Sequence, residues 1–140
     1  MKGIVDTGFL VGFANRRDRF HRWAIGIAEQ ITVPLLTCEA VLAETAFHLG
    51  SCTVVLGMIR EGLIELAFDC NEHLPQLEAL AKRYADRHPD LADLCLVRMS
   101  ELHPKLPVIT VDREDFSVYR RNKREVIPLI CPPGPRTVKG

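Results

Sequence analysis

The chain has 140 residues, 47% of them hydrophobic, which is enough for one globular domain with a sizeable core. Its 18 basic and 18 acidic side chains balance, so the overall charge favours no particular class of partner. No stretch approaches the roughly 20 apolar residues that span a bilayer. The first apolar run ends at Asp6, too early for a signal peptide, so we expect a cytoplasmic protein.

In the first half of the chain, the spacing of apolar residues predicts strands that alternate with helices. Strands are predicted over residues 2–5, 33–37 and 63–68. Helices are predicted over residues 7–14, 20–30, 38–49 and 52–61. Gly50 and Gly62 end the last two of these helices, since glycine is a common helix stop.

The second half of the chain continues the alternation. Helices are predicted over residues 72–87 and 91–102. Pro89 marks the end of the first of them. Strands are predicted over residues 107–111 and 126–130. Between these strands, a short turn or helix begins at Asp112.

Alternating strands and helices, without a repeat or a linker, indicate one α/β domain over residues 1–131, built from parallel βαβ units. Residues 132–140 are rich in proline and are expected to form a flexible tail. In parallel sheets of this kind, functional residues lie beyond the carboxyl ends of the strands. Asp6 and Asp112 both follow a predicted strand, so both are expected at that edge.

Four acidic residues from distant parts of the chain are candidates for one metal site: Asp6, Glu44, Asp93 and Asp112. Carboxylates gathered at the end of a buried sheet repel one another, and a divalent cation is the usual means of neutralising them. The four acids therefore make the chain a candidate for metal-dependent phosphodiester chemistry.

The aspartates also have a purely structural interpretation, as helix N-caps. Asp6 precedes a predicted helix. Asp112 stands three residues before Asp115, and Asp90 stands three residues before Asp93, both in the spacing of a capping box. Taken one at a time, these positions are ordinary.

Glu44 is less ordinary, because it interrupts an apolar face between Val41 and Phe47 in the middle of a predicted helix. An unpaired buried carboxylate is costly or shifts its pKa. An ion pair with an arginine would be the structural explanation, and a neighbouring cation would be the functional one. Thr7 and Thr110 are expected either to orient a carboxylate or a water, or to serve as ordinary strand-end residues.

Four short segments carry a family resemblance: residues 4–8 (IVDTG), 41–45 (VLAET), 90–94 (DLADL) and 110–116 (TVDREDF). Together, in this order and spacing, they resemble PIN-domain ribonucleases of the VapC toxin type over residues 3 to about 130. Leu94 departs from the pattern, because the family usually has alanine after the third acid. The resemblance implies a three-layer α/β/α sandwich around a central parallel sheet.

The resemblance also implies a Mg²⁺- or Mn²⁺-dependent endoribonuclease whose catalytic, metal-site acids are Asp6, Glu44, Asp93 and Asp112. Asp115 is a possible fifth metal-site acid, and Asp90 is a weaker candidate. We assign Asp6 and Asp93 as direct ligands, Asp112 as a ligand of a second ion or of its water, and Glu44 as a residue that acts through water. The family commonly forms homodimers and is held inactive by a protein antitoxin.

Two basic clusters, at residues 16–22 and 113–124, follow strand-end aspartates and could contact RNA phosphates. Arg16, Arg17 and Arg113 are the RNA-binding candidates. A solvated surface is the alternative, and in this family such arginines also face the antitoxin.

Other functions compete with this hypothesis. Asp6-Thr7-Gly8 is also the triplet of aspartic proteases, although that fold is nearly all β. A PIN-like domain can lose activity and serve as an RNA- or protein-binding module. A nuclease that prefers DNA or structured RNA, with no toxin role, is a third possibility.

The five cysteines are an odd number without a C-x-x-C pair, so we expect reduced thiols in a reducing compartment. The five histidines show no zinc-ligand spacing against them.

Overall fold

The computed structural model describes residues 1–134, and residues 135–140 of the predicted tail lie outside that range. Seven helices lie within residues 1–134: α1 Thr7–Ala14, α2 His21–Ala28, α3 Glu39–Leu49, α4 Cys52–Arg60, α5 Leu74–Arg83, α6 Leu91–Leu102 and α7 Arg113–Val118. The strands of the same region are β1 Ile4–Val5, β2 Leu35–Thr37, β3 Ile64–Leu66, β4 Val108–Ile109, β5 Arg120–Arg121, β6 Glu125–Val126 and β7 Leu129–Ile130.

The predicted α/β class is confirmed as a three-layer α/β/α sandwich. Its central sheet is all parallel and has the strand order β3-β2-β1-β4-β7, with helices on both faces. Helices cover both faces of the sheet, so the strand residues are buried on both sides. Apolar residues such as Ile4, Val5 and Ile109 are fully buried. The parallel sheet, with about 53% helix, also excludes the nearly all-β fold of the aspartic proteases.

Two predicted elements are divided in the structure. The helix predicted over residues 72–87 is a 3₁₀ turn, then α5, then a second 3₁₀ turn. Pro75 suits the first turn of α5, where no intrahelical N–H is needed. The residue that caps the end of α5 is Tyr84, whose hydroxyl accepts a hydrogen bond from the backbone N–H of Arg120 at 2.8 Å.

The strand predicted over residues 126–130 is divided at Pro128. Its first part, β6, pairs with β5 in an antiparallel hairpin, and its last part, β7, joins the parallel sheet beside β4. The hairpin turn places Asn122 and Lys123 at φ values of 49° and 71°. The prediction missed this hairpin because its strands are charged and show no apolar alternation.

None of the helices between residues 1 and 134 is both long and apolar enough to cross a bilayer. The buried helix α6 is the longest, with 12 residues, and eight of them are buried against the sheet and its neighbours.

The position of α1 depends on the absence of a side chain at Gly8. A Cβ atom there would stand 2.3 Å from Cγ2 of Val111, which follows β4. We predict that Gly8→Ala destabilises the protein by about 1–3 kcal/mol, because α1 would be pushed off the sheet edge. Gly26→Ala is the control in α2, because its Cβ would meet nothing within 4 Å and alanine favours the helix by roughly 0.5–1 kcal/mol.

Chemical denaturation of both variants measures the two changes in the free energy of unfolding. Adding Val111→Ala to Gly8→Ala should recover part of the loss, since it removes the obstructing methyl groups. Equal stability of Gly8→Ala and the wild-type protein would contradict the close packing of α1 on Val111.

Candidate metal centre

A cleft of about 350 Å³ opens at the carboxyl edge of the parallel sheet. Six carboxylate residues line it: Asp6, Asp18, Glu44, Asp90, Asp93 and Asp112. They come from the end of β1, the loop after α1, the middle of α3, the start of α6 and the end of β4. All four acids predicted to share one site therefore line one cleft.

Asp6 is placed by the pairing of β1 with β4, in which Val5 lies opposite Ile109. One carboxylate oxygen accepts the backbone N–H of Thr7 at 2.7 Å, and the other accepts the hydroxyl of Thr110 at 2.7 Å. Asp6 is the N-cap of α1, and only 8% of it is exposed. Burial raises its pKa to about 6, in spite of these two hydrogen bonds.

Asp93 lies in the first turn of α6, where its backbone N–H donates to the side chain of Asp90 at 2.8 Å. The Tyr119 hydroxyl donates to the Asp93 carboxylate at 3.0 Å. Burial first, and then the charges of Asp90 and Asp6, raise the pKa of Asp93 to about 8. Burial and the Asp93 charge likewise raise the pKa of Tyr119, so Tyr119 remains a hydrogen-bond donor at neutral pH.

Glu44 is half-buried, and its carboxylate accepts the hydroxyl of Thr7 at 3.0 Å. Burial and the charge of Asp90 raise its pKa. An ion pair with an arginine was the structural explanation for a carboxylate at this position. Among residues 1–134, Glu44 forms no such ion pair.

Asp112 caps α7, because its carboxylate accepts the backbone N–H of Asp115 at 3.1 Å. Its own backbone N–H donates to the Thr110 hydroxyl at 3.0 Å, so Thr110 connects Asp112 to Asp6. Burial raises the pKa of Asp112. Asp115 does not line the cleft and instead accepts a hydrogen bond from the guanidinium of Arg87 at 2.9 Å.

The donors in the cleft fit a hard divalent cation such as Mg²⁺ or Mn²⁺, which prefers carboxylate oxygens. Burial and mutual repulsion outweigh the hydrogen bonds that Asp6 and Asp93 accept, so the pKa values of both carboxyl groups are raised. Within residues 1–134, no three Asp, Glu, His or Cys side chains are close enough to hold one ion as they stand. Mg²⁺ is often held by only one or two carboxylates together with water molecules.

The three arginines predicted to bind RNA do not line the cleft. Arg16 and Arg17 are exposed on the loop after α1. The Arg113 guanidinium donates to the carbonyl of Pro132 at 3.2 Å. Arg19 is the arginine that does line the cleft, with its guanidinium carbon 4.6 Å from the centre of the Phe20 ring.

His48 and Tyr119 are among the other residues of the site that were not predicted. His48 lines the cleft one helical turn after Glu44, and this i, i+4 spacing was a usable signal. Tyr119 gave no signal, because an isolated tyrosine beside a charged segment does not reveal which carboxylate its hydroxyl reaches.

Comparison with models of known protein families and with curated proteins finds no match to this chain.

We predict that Asp6→Asn stabilises the metal-free protein above pH 6 by about 1–3 kcal/mol. The pKa of Asp6 is raised on folding, so its favourable contribution is fully present below about pH 4 and is lost as the pH rises through about 6. Asparagine does not titrate, and its amide can donate to the Thr110 hydroxyl oxygen. The stability difference should therefore fade below pH 4.

Urea denaturation in EDTA at pH 4, 6 and 8 measures this difference. Asp86→Asn, at an exposed position outside the cleft, is the control and should show no comparable gain. Destabilisation by Asp6→Asn to the same extent at every pH would contradict an uncompensated buried charge.

Proposed function

We propose that this chain is a Mg²⁺- or Mn²⁺-dependent endoribonuclease that hydrolyses RNA phosphodiester bonds in the acidic cleft. The observation that supports it most is the convergence of Asp6, Glu44, Asp93 and Asp112, from four separate elements, in one cleft. A structural role as helix caps explains Asp6 and Asp112 individually. It does not explain why Glu44 and Asp93 accompany them with raised pKa values.

The hydrogen bonds suggest how the work is divided among these acids. Asp6 and Asp93 are the most buried of the four, and hydroxyls of Thr110 and Tyr119 orient them, so they suit direct ligation of an ion. Glu44 is more exposed and is oriented by Thr7, which suits a base that acts on a water at the open side. A bound divalent cation would supply charge stabilisation for the scissile phosphate and activation of the water.

We further propose that the enzyme is the cytoplasmic toxin of a VapBC-type pair, forms a homodimer and is inhibited by a protein antitoxin. Exposed apolar side chains on α3 and α4 support binding of a protein partner. Phe47 is 83% exposed, and Leu56 and Val54 are 55% and 43% exposed. Val54 lines a cavity together with His48, which also lines the acidic cleft, so this exposed apolar residue is close to the edge of the cleft.

Cleavage of labelled RNAs and single-stranded DNA, assayed with Mn²⁺, Mg²⁺ or EDTA, tests the activity. We expect cleavage that needs the metal and that falls by a factor of about 100 or more in Asp6→Asn and Asp93→Asn, because each variant loses a ligand of the ion. Asp86→Asn, purified identically, should retain activity. Circular dichroism verifies that each variant is folded.

Full cleavage by a folded, nuclease-free preparation of Asp6→Asn would refute the proposal. No cleavage under any condition, together with no metal binding in calorimetry, would instead favour a catalytically idle RNA- or protein-binding module. Cleavage of DNA but not of RNA would show that the substrate is DNA and would contradict the ribonuclease assignment.

The exposed arginines after α1 are proposed to contact the RNA backbone outside the cleft. Arg16→Glu with Arg17→Glu should weaken RNA binding at low salt and reduce the dependence of log K on log salt by about 2, one for each lost phosphate contact. Arg60→Glu with Lys82→Glu is the control, because it makes the same charge change at exposed sites outside the cleft. If both double variants weaken RNA binding equally, Arg16 and Arg17 act only through the overall charge of the protein and not through specific phosphate contacts.

A further inference from the structure

Two cysteine thiols meet on the side of α6 away from Asp93. The Sγ atoms of Cys70 and Cys95 are 3.6 Å apart. Cys70 is exposed at the start of the 3₁₀ turn Cys70–His73, whereas Cys95 is fully buried on α6. Cys95 also interacts with the buried thiol of Cys38. Both cysteines are reduced in the structure.

We propose that Cys70 and Cys95 form a peroxide-sensitive thiol pair, in which a hydroperoxide converts the two thiols into a disulfide. A disulfide has an S–S distance of about 2.05 Å, so the two sulfur atoms must approach by about 1.5 Å. Cys70 is in an exposed turn, where such a movement disturbs little packing. This inference is independent of the proposed nuclease activity.

The surroundings of Cys70 give a small oxidant access to its thiol. Cys70 lines an open cavity of about 740 Å³, together with Phe68, Asn71 and His73. The rings of Phe68 and His73 stack at 4.9 Å and form part of its wall. Cys95 lies behind Cys70 and is not part of the lining, so the oxidant reaches Cys70 first.

The reaction proceeds in two balanced steps. The Cys70 thiol gives up its proton, and its sulfur attacks one oxygen of the hydroperoxide and breaks the O–O bond. The sulfur keeps that oxygen as a sulfenic acid, and the other oxygen takes the proton and leaves as water or an alcohol. The Cys95 sulfur then attacks the Cys70 sulfur, the S–S bond forms, and the sulfenic hydroxyl leaves as water with the Cys95 proton. Two thiols are oxidised by two electrons in total, and the peroxide is reduced by two.

The other exposed cysteine provides a matched control. Cys52 is at the start of α4, and no thiol neighbour of Cys52 is found among residues 1–134. With peroxide, Cys52 can therefore proceed only to oxygen-bearing products or to bonds between molecules.

The experiment treats the full chain with one equivalent of hydrogen peroxide and then with trypsin, without a reductant. The intact chain should lose the mass of two hydrogen atoms, and the digest should contain the peptide of residues 61–82 joined to that of residues 88–98. Dithiothreitol should reverse both changes. Cys70→Ser should abolish them, and Cys52→Ser should leave them intact.

In the Cys52→Ser variant, Cys38 is the only cysteine of the peptide of residues 23–60, and a crosslink from Cys70 to that peptide would overturn the assignment to Cys95. Sulfenic acid or higher oxides on Cys70 without a crosslink would overturn the pairing itself. If Cys95→Ala folds, dimedone should label its Cys70 after peroxide, and absence of that label would refute the first step. If it does not fold, the peptide map of the wild-type protein still decides the matter.

Discussion

The pairing of β1 with β4 is the constraint on which the acidic cleft depends. Because Val5 lies opposite Ile109, the next residue of each strand, Asp6 and Thr110, emerges at the same edge. The hydrogen bond between them is 2.7 Å long and buried, and the Thr110 hydroxyl also accepts the N–H of Asp112. A shift of one residue in this register would reverse the direction of every side chain in the strand and disperse the cleft.

The electrostatics of the cleft oppose the stability of the fold. Burial and mutual repulsion raise the pKa values of Asp6 and Asp93 to about 6 and about 8, so ionising these groups at neutral pH costs stability. The sheet and its packed helices must supply the compensating free energy. A bound cation would offset the repulsion directly, and this is the physical basis of the proposed metal site.

The sequence predicted the structure correctly where a strong local pattern determines it. Helices α1 and α6 have the predicted bounds, because apolar periodicity and the cap residues Asp6 and Asp90 agree there. The meeting of Asp6 and Asp112 at one edge was also predictable, since strand ends of a parallel sheet share an edge, but this argument does not extend to Glu44 and Asp93, which lie on helices. The hairpin of β5 and β6 and the interaction of Tyr119 with Asp93 depend on tertiary contacts, and these have no local pattern in the sequence.

Asp115 shows the limit of arguing from a motif. By spacing it is equivalent to Asp93, since each follows a capping aspartate by three residues and donates its N–H to that cap. The two differ in what lies beside the helix. Asp93 faces a buried cleft with a tyrosine hydroxyl, whereas Asp115 faces Arg87 near the surface. The surface pair neutralises the charge of Asp115 without a metal, so the same local motif yields a ligand candidate in α6 and an ordinary ion pair in α7.

Helix α6 connects the two chemically distinct sites of the molecule. Asp93 and Cys95 are two residues apart, which places them about 200° apart around a helix with 3.6 residues per turn. One face of α6 therefore borders the acidic cleft, and the opposite face presents a thiol to the turn at Cys70. Because eight of its 12 residues are buried, the helix is held from several sides and has little freedom to bend. A Cys70–Cys95 bond would therefore form on the face of α6 opposite Asp93, and the movement that the bond requires falls to the exposed turn of Cys70 and not to this helix.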